Sequence, residues 1–393
     1  MPTIGKTPIP KREIHDVLDS SKLQTFIECP RKYFFQQILG WQKKNLSVHL
    51  FFGSAWHEAL EHLMNHGYDM SEVQVAYEKF KEIWEEEKPD DPLWEAHYAK
   101  NPSSALKGLT EYAEKWSSQD DFETLFTEVA GTVPIMDDKL IHWKVDASIK
   151  DSDGWISSLE HKTTGRNSSS WRNKWRMKTQ TGTYHHALNA LHQMGVFDEY
   201  DPRGVKGVKI NGTVFRKNDR EFLRIPVRRS DDAMQMWLWE TRHYVQQLRW
   251  NMEELAECSK SDQVMVAFPR NAESCTKFGC AFPGLCHNWA NPLRHCERGA
   301  PKDYEEDFWD PRRQEEEANQ KVDLTDEQDP MKENEQRQER KDSDTEQDWV
   351  ADKSSDERGG DSEEAGRDDA ESETDSERGQ TGGDDSHLID IDI

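Results

Sequence analysis

LIHWKVDASIKDSDGWISSLEHKTTG, residues 140–165, is the stretch that decides the fold. From Leu140 to Lys150 apolar and polar residues alternate. Ile141, Trp143, Val145, Ala147 and Ile149 point one way, and His142, Lys144, Asp146 and Ser148 the other. A period of two is that of a half-buried β-strand. Asp151-Ser-Asp-Gly154 is hairpin-turn chemistry, since glycine tolerates positive φ and aspartate bonds its own backbone. The return strand, Trp155–Thr164, sets Glu160 and Lys162 on one face. The turn fixes the register to within about one residue, so Asp146 falls across from Leu159–His161.

Two carboxylates and an ammonium thus converge on one patch of sheet. Neighbouring carboxylates repel unless a cation lies between them, and Mg²⁺ and Mn²⁺ prefer such oxygen ligands. A lysine beside them can hold or deprotonate an attacking water and offset charge on a phosphate. Those are the parts of metal-assisted phosphodiester hydrolysis. The competing reading is a solvated hairpin face, because an aspartate followed at a distance by Glu-x-Lys is a loose pattern.

The formal net charge of −26 is unevenly spread. Residues 301–393 hold 35 of the 77 acidic and 12 of the 51 basic residues, a net of −23, which leaves −3 for the other 300. The acidity therefore belongs to a tail, and whole-chain charge does not exclude a nucleic-acid partner. No apolar run is long enough to suggest a membrane span, and the first residues lack a signal-peptide core. Six cysteines in 393 residues without such a signal point to a reducing, cytoplasmic setting.

Along the chain, residues 1–19 read as a leader. Ser20 or Ser21 can cap a helix to about Leu39, broken at Cys29-Pro30. Phe51–Gly67 reads as a helix with Gly53, His57 and Glu61 at i, i+4 spacing. Ser71–Glu87 and Ser103–Ser117 are amphipathic helices with Pro89, Pro92 and Pro102 between them, and Phe122–Pro134 is a strand feeding the hairpin. Thr163–Lys178 carries Arg166, Arg172, Lys174, Arg176 and Lys178 with Trp171 and Trp175 and no acid. Cations interleaved with aromatics suit phosphates and stackable bases; the alternative is a solvated loop. A helix to about Met194 puts Gln180 and Tyr184 on one face. Strands Val205–Phe215 and Glu221–Val227 and a long helix Asp231–Cys258 follow.

Cys275, Cys280 and Cys286 are spaced so that a short Gly/Pro loop can wrap its thiolates around a metal centre, which needs a fourth ligand. Cys29 is the best candidate. Cys258, late in a helix, reads as a buried hydrophobe, and Cys296 remains a competitor. Zinc and an iron–sulfur cluster both stay open on spacing alone. From Lys302 onward the composition reads as disordered, apart from the terminal HLIDIDI, which could add a strand to a partner or dock in a pocket.

Taken in order, these segments resemble the PD-(D/E)XK nuclease superfamily, and within it the RecB/AddB-type domain with an iron–sulfur cluster, which includes CRISPR-associated adaptation nucleases and phage-encoded relatives. Ser21–Phe34 is similar to its S-x-L-x-x-F-x-x-C-P-x-x-F segment and Gly53–His57 to its G-x-x-x-H helix. Val145-Asp146 and Leu159-Glu160-His-Lys162-Thr163 resemble its D…(D/E)-x-K core, Gln180–Tyr184 its Q-x-x-x-Y motif, and Cys275, Cys280 and Cys286 its terminal cysteines. The match runs from residue 20 to about 290. Glu160 departs from the aspartate more common in this branch, although its longer stem should still reach a metal.

The resemblance implies an α/β restriction-endonuclease-like core, a central mixed sheet flanked by helices, over residues 20–300; about the acidic tail at 301–393 it says nothing. It implies Mg²⁺ or Mn²⁺ held by His57, Asp146 and Glu160 with the His161 carbonyl, and Lys162 acting on the water. Gln180 and Tyr184 would shape the site, and Cys29, Cys275, Cys280 and Cys286 would hold a structural [4Fe–4S] cluster. The expected activity is a DNA exonuclease on single strands or duplex ends, in replication, recombination or repair, with DNA contacts from Arg166, Arg172, Lys174, Trp175, Arg176 and Lys178. The alternative is a catalytically weak nuclease-fold adaptor that recruits a replication or recombination protein through its tail.

Overall fold

The computed structural model describes residues 7–44, 47–87, 99–275 and 280–323. Six longer helices are α1 (Ser20–Glu28), α2 (Val48–His66), α3 (Met70–Glu87), α4 (Pro102–Trp116), α5 (Thr179–Gln193) and α6 (Asp231–Glu257). The strands are β1 (Trp41–Lys43), β2 (Phe122–Met136), β3 (Lys139–Asp151), β4 (Trp155–Thr164), β5 (Gly204–Phe215), β6 (Arg220–Val227), β7 (Tyr304–Glu306) and β8 (Gln320–Asp323). Six of them form one mixed sheet in the order β6-β5-β4-β3-β2-β8, while β1 and β7 pair separately.

Strands β2, β3 and β4 make an antiparallel meander, as the hairpin chemistry predicts. Strand β5 is parallel to β4. Parallel neighbours need a crossover, and α5 supplies it. On one face α2, α3 and α4 bury Phe52, Trp56, Phe80 and Leu109 against Leu159 and Phe215. On the other, α1, α5 and α6 bury Phe26, Leu188, Trp237 and Leu248 against Val145, Ile156 and Ile210. The hydrophobic sequence of β3 is therefore read by both layers: Ile141, Trp143 and Val145 join one core, Ala147 and Ile149 the other. Asp146 sits where the change occurs.

Two boundaries differ from expectation. Helix α1 is capped by Asp19, whose carboxylate accepts the Lys22 N–H at 2.7 Å, and not by Ser20 or Ser21. Leu18 is buried and its carbonyl accepts the His142 N–H at 2.8 Å, so the end of the leader belongs to the fold. The break at Cys29 occurs as predicted: Cys29 is extended (φ −165°, ψ 111°), and Pro30, which lacks an N–H to offer α1, starts the next turn.

The larger correction concerns the boundary at 300. Beyond it lie β7, a short helix Arg312–Glu316 and β8, which pairs with Val129–Thr132 of β2. Gly131 permits this approach, because a Cβ there would collide with the Val322 carbonyl. Composition missed the segment because main-chain pairing to an existing edge asks for few apolar side chains. The remaining acidic tail with HLIDIDI, the Pro89 and Pro92 connection and residues 276–279 lie outside the described residues. Among those described, no helix is long and apolar enough to cross a membrane.

Candidate active site

The hairpin strands pair only from Ala147↔Leu159 to Lys150↔Ile156. Beyond that point β4 continues along β5 and β3 along β2, so the two strands part. The gap is bridged by a side chain: Asp146 Oδ2 accepts the His161 N–H at 2.6 Å. In a strand, N–H and C=O of one residue face the same neighbour, so the His161 carbonyl lies on that edge as well. The His161 imidazole is buried and anchored through Asn211 at 2.8 Å, which in turn meets Tyr112 at 2.9 Å.

Six predicted residues meet at this parting. His57, from the first half of α2, places Nδ1 3.6 Å from Asp146 Oδ1. Lys162 Nζ donates to Glu160 Oε1, and Gln180 Nε2 donates to the same oxygen at 3.0 Å. Gln180 also donates to the Tyr184 hydroxyl at 2.8 Å, one turn further along α5. Glu160 is 2% exposed, and its Oε2 is buried with no hydrogen-bond partner. All of these except His161 line one cleft of about 700 Å³.

The charges are mutually adjusted. Burial opposes ionisation of Asp146, but His57, His161 and Lys162 hold its carboxyl well below the usual range. Glu160 moves the opposite way: burial, then the Asp146 charge, push it up to about 7 against the pull of Lys162. Burial alone would lower Lys162 and His57. The neighbouring carboxylates, Glu160 first for Lys162 and Asp146 first for His57, leave both above their ordinary values. Burial pushes His161 down to about 3. Two carboxyls pushed apart in one cleft, one with a free buried oxygen, make a site short of positive charge.

A sequence profile of the PD-(D/E)XK nuclease superfamily matches residues 20–287, more than half of the chain. The chain belongs to this superfamily. Similar solved structures include a protein from Eubacterium rectale named "Putative exonuclease". It is 13% identical at a TM-score of 0.34, with 62% of this chain and 84% of that one covered. Another is a protein named SSO0001, 12% identical at a TM-score of 0.23, with 62% and 83% covered. No curated protein is found to match.

Around the superfamily's hairpin the structure adds residues that sequence reasoning missed. Thr127↔Ala147 and Val129↔Val145 bracket Glu128 opposite Asp146. Glu128 takes φ +50°, which L-residues rarely adopt inside a strand, and pairs with Lys144 at 2.5 Å. Burial and then Asp146 push its carboxyl up to about 7. Glu61 accepts from Thr127 at 3.1 Å and from Asn319 at 2.7 Å, so the segment before β8 reaches the cleft rim. Only the register of β2 on β3 reveals Glu128, and no local pattern encodes that.

The basic segment splits. Arg166, Arg172, Lys174 and Arg176 are exposed, and Lys178 is half-buried, 3.7 Å from Glu28. Trp175 is a correction: it is 5% exposed, with Lys174 Nζ 4.6 Å and Lys162 Nζ 5.9 Å from its ring centre. It is a floor beneath lysines, and no face is left for a base. It is the middle residue of the short helical turn Lys174–Arg176, which follows directly on the short helix Ser169–Asn173, and it is buried in the core.

At the far side of α1, Cys29 and Cys286 are buried. The Asn271 N–H reaches Cys29 Sγ at 3.4 Å, and Cys275 Sγ donates to the Asn271 carbonyl at 3.7 Å. Burial pushes the Cys286 thiol up to about 11, Arg31 draws it down, and Cys29, Cys280 and Cys275 raise it again. The charges of Cys29, Cys280 and Cys275 thus reach Cys286, although among the described residues no three of these sulfurs lie within 4.8 Å of one another. Cys296 stands apart, its thiol directed at the Pro292 carbonyl at 3.2 Å.

Proposed function

We propose that this protein is a Mg²⁺- or Mn²⁺-dependent deoxyribonuclease, an exonuclease on single-stranded DNA or duplex ends, working in replication, recombination or repair. The observation that carries the reading is Glu160 Oε2, buried and unpartnered beside Asp146. His57, Asp146, Glu160 and the His161 carbonyl would hold the divalent ion. Bound there, the ion supplies Lewis-acid polarisation of the phosphate and a more acidic water.

The protein's own groups do the remaining work. Lys162 enters as an ammonium, since Glu160 and Asp146 outweigh burial and hold its proton on. It therefore donates to the attacking water and offsets charge building on the phosphate. Gln180 fixes one oxygen of Glu160 and leaves the other free. The Tyr184 hydroxyl, which accepts from Gln180, holds that amide in place. Arg166, Arg172, Lys174 and Arg176 would carry the DNA backbone toward the cleft.

The test is hydrolysis of end-labelled linear DNA with Mn²⁺, alongside a closed circle of the same sequence. Cleavage of the linear form only, lost in Lys162→Ala, supports an exonuclease. Tight binding to both without cleavage in any divalent metal would favour the adaptor reading.

We further propose that Cys29, Cys275, Cys280 and Cys286 hold a [4Fe–4S] cluster of structural use. Such a ligand set clips α1 to the chain near 280, and its loss should cost on the order of several kcal/mol. Anaerobically purified protein should be brown, with iron and sulfide that Cys29→Ser loses. A colourless protein carrying zinc would overturn the cluster.

A further inference from the structure

The geometry points to a second metal site, outside the hairpin centre, formed by His62 and His66 of α2 and Glu72 of α3, for a zinc-class transition ion. Among the described residues, this is the group of His, Cys, Asp and Glu whose ligand atoms all lie within 4.8 Å of one another. The two histidines are four apart on one helix, so their rings stack, with centroids 4.2 Å apart at 16°. Glu72 comes from the first turn of the next helix and places Oε2 2.9 Å from His62 Nε2.

The protonation pattern leaves ligand atoms available. The His66 Nδ1–H donates to the His62 carbonyl at 3.0 Å, which turns its Nε2 lone pair outward. His62 is 7% exposed, and its Nδ1 is buried with no hydrogen-bond partner. A metal on Nε2 would move the ring proton to this Nδ1, where no acceptor lies, so the ion's bonds to both histidines and to the freed Glu72 carboxylate must outweigh one buried N–H. Two imidazoles and one carboxylate suit Zn²⁺ and its neighbours better than Mg²⁺, which asks for oxygen. Three protein ligands leave the fourth position open, and His66 is exposed.

The placement gives the site a use. Lys79 and Glu58 already join α3 to α2 at 2.9 Å. An ion on His62, His66 and Glu72 would lock the same two helices, and α2 is the helix that carries His57. His62 and His66 also line the cleft with Asp146 and Glu160. Its open position would add positive charge at the edge of an acidic cleft. The site requires no cleavage activity and stands or falls independently of the proposed reaction.

The test is equilibrium dialysis of the full chain against buffered Zn²⁺, with Mg²⁺ in excess to occupy the carboxylate centre. Wild type, His66→Ala, Glu72→Gln and Asp146→Asn are compared by metal analysis and thermal melting. Zinc on the cysteines is common to all four and cancels in the differences. Wild type and Asp146→Asn should each bind one zinc more than His66→Ala. In Glu72→Gln the affinity should fall at least about tenfold, the loss that even outer-sphere changes bring. Zinc should raise the melting temperature of wild type more than that of either ligand variant. His66 is exposed, so its removal should leave the metal-free melting temperature unchanged, and Glu72→Gln answers separately if it does not. Equal zinc counts and equal melting shifts in wild type and both ligand variants would overturn the site and leave His62–Glu72 an ordinary hydrogen bond.

Discussion

Two consecutive stretches of this chain carry most of its chemistry and are built in opposite senses. In residues 140–165 the charged side chains turn inward: Glu160 is 2% exposed, and Asp146 lies in the parting of two strands. In residues 166–178 the charges turn outward and the aromatic Trp175 turns in. Enclosed charge has shifted pKa values and can do chemistry, whereas exposed charge keeps its solvation and can only attract. The hairpin is thus expected to govern turnover, and the segment after it binding.

The sharpest break of that contrast is made in the hairpin. Lys162→Ala and Glu160→Gln should each lower cleavage by about 10²–10⁴-fold, the range for groups acting on the water or the leaving charge. DNA binding should persist. Glu160→Gln should stay folded in EDTA, although it takes from Lys162 the carboxylate that the ammonium donates to. A variant that unfolds would mean the inward charges hold the fold together, and the contrast would fail.

The second break is Trp175→Ala. If the indole is a floor, its loss should cost about 3–5 kcal/mol of stability, read as a fall in the urea midpoint. A Trp175 that stacked on DNA would instead leave the fold intact and weaken binding. Lys174→Ala, one residue away and exposed, should change stability by less than about 0.5 kcal/mol.

The same contrast explains what was visible before any coordinates. Strand alternation and a turn locate Asp146, Glu160 and Lys162, because the period of two forces side chains to known faces and the loop fixes the register. Helical spacing likewise joins Gln180 to Tyr184. Composition could not tell which way Trp175 points, since a basic turn looks alike whether its aromatic is a floor or a lid. Glu128 was invisible because its place opposite Asp146 depends on β2 pairing, and Glu72 because it depends on how α3 folds back on α2. Strand β8 was hidden in an acidic stretch because main-chain pairing attaches it with Val322 as its one apolar side chain against the core.

Titration sharpens the inward half. Glu160 and Glu128 are both raised to about 7 in the fold from an ordinary value of 4.5. Between those limits these two carboxyls bind more protons in the native state than in the unfolded chain, so their contribution to metal-free stability falls as pH rises from about 4.5 to 7 and then levels, against the opposite contribution of buried His15, His161 and His185, pushed down to about 4, 3 and 4. Asp146 acts oppositely: its lowered pKa contributes stability that is lost only as pH falls below its ordinary value of 3.8. The fall should be of order 1–3 kcal/mol, be smaller in Glu160→Gln, and be relieved by Mn²⁺, which binds the ionised carboxylate. Melting wild type and Glu160→Gln in EDTA at pH 5.5 and 8 decides it; a difference, wild type minus variant, that rises with pH would contradict the arrangement of charges.

The smallest effect tests the outward half. Arg172 and Arg176 are exposed, so each should contribute one screened phosphate contact, and the exposed donation of Arg172 Nε to Asn167 Oδ1 at 2.7 Å should contribute little to stability. Single alanine variants should weaken binding alike for all sequences and melt as wild type. The salt dependence carries more information than the affinity. The slope of log affinity against log salt should fall by about 0.9 per lost contact on duplex DNA and about 0.7 on single strands. Measuring both substrates with Arg172→Ala and Arg176→Ala therefore reports which form of DNA lies along the segment. A slope unchanged in both variants would remove these arginines from the DNA path and leave the backbone to Arg166, Lys174 and the cleft itself.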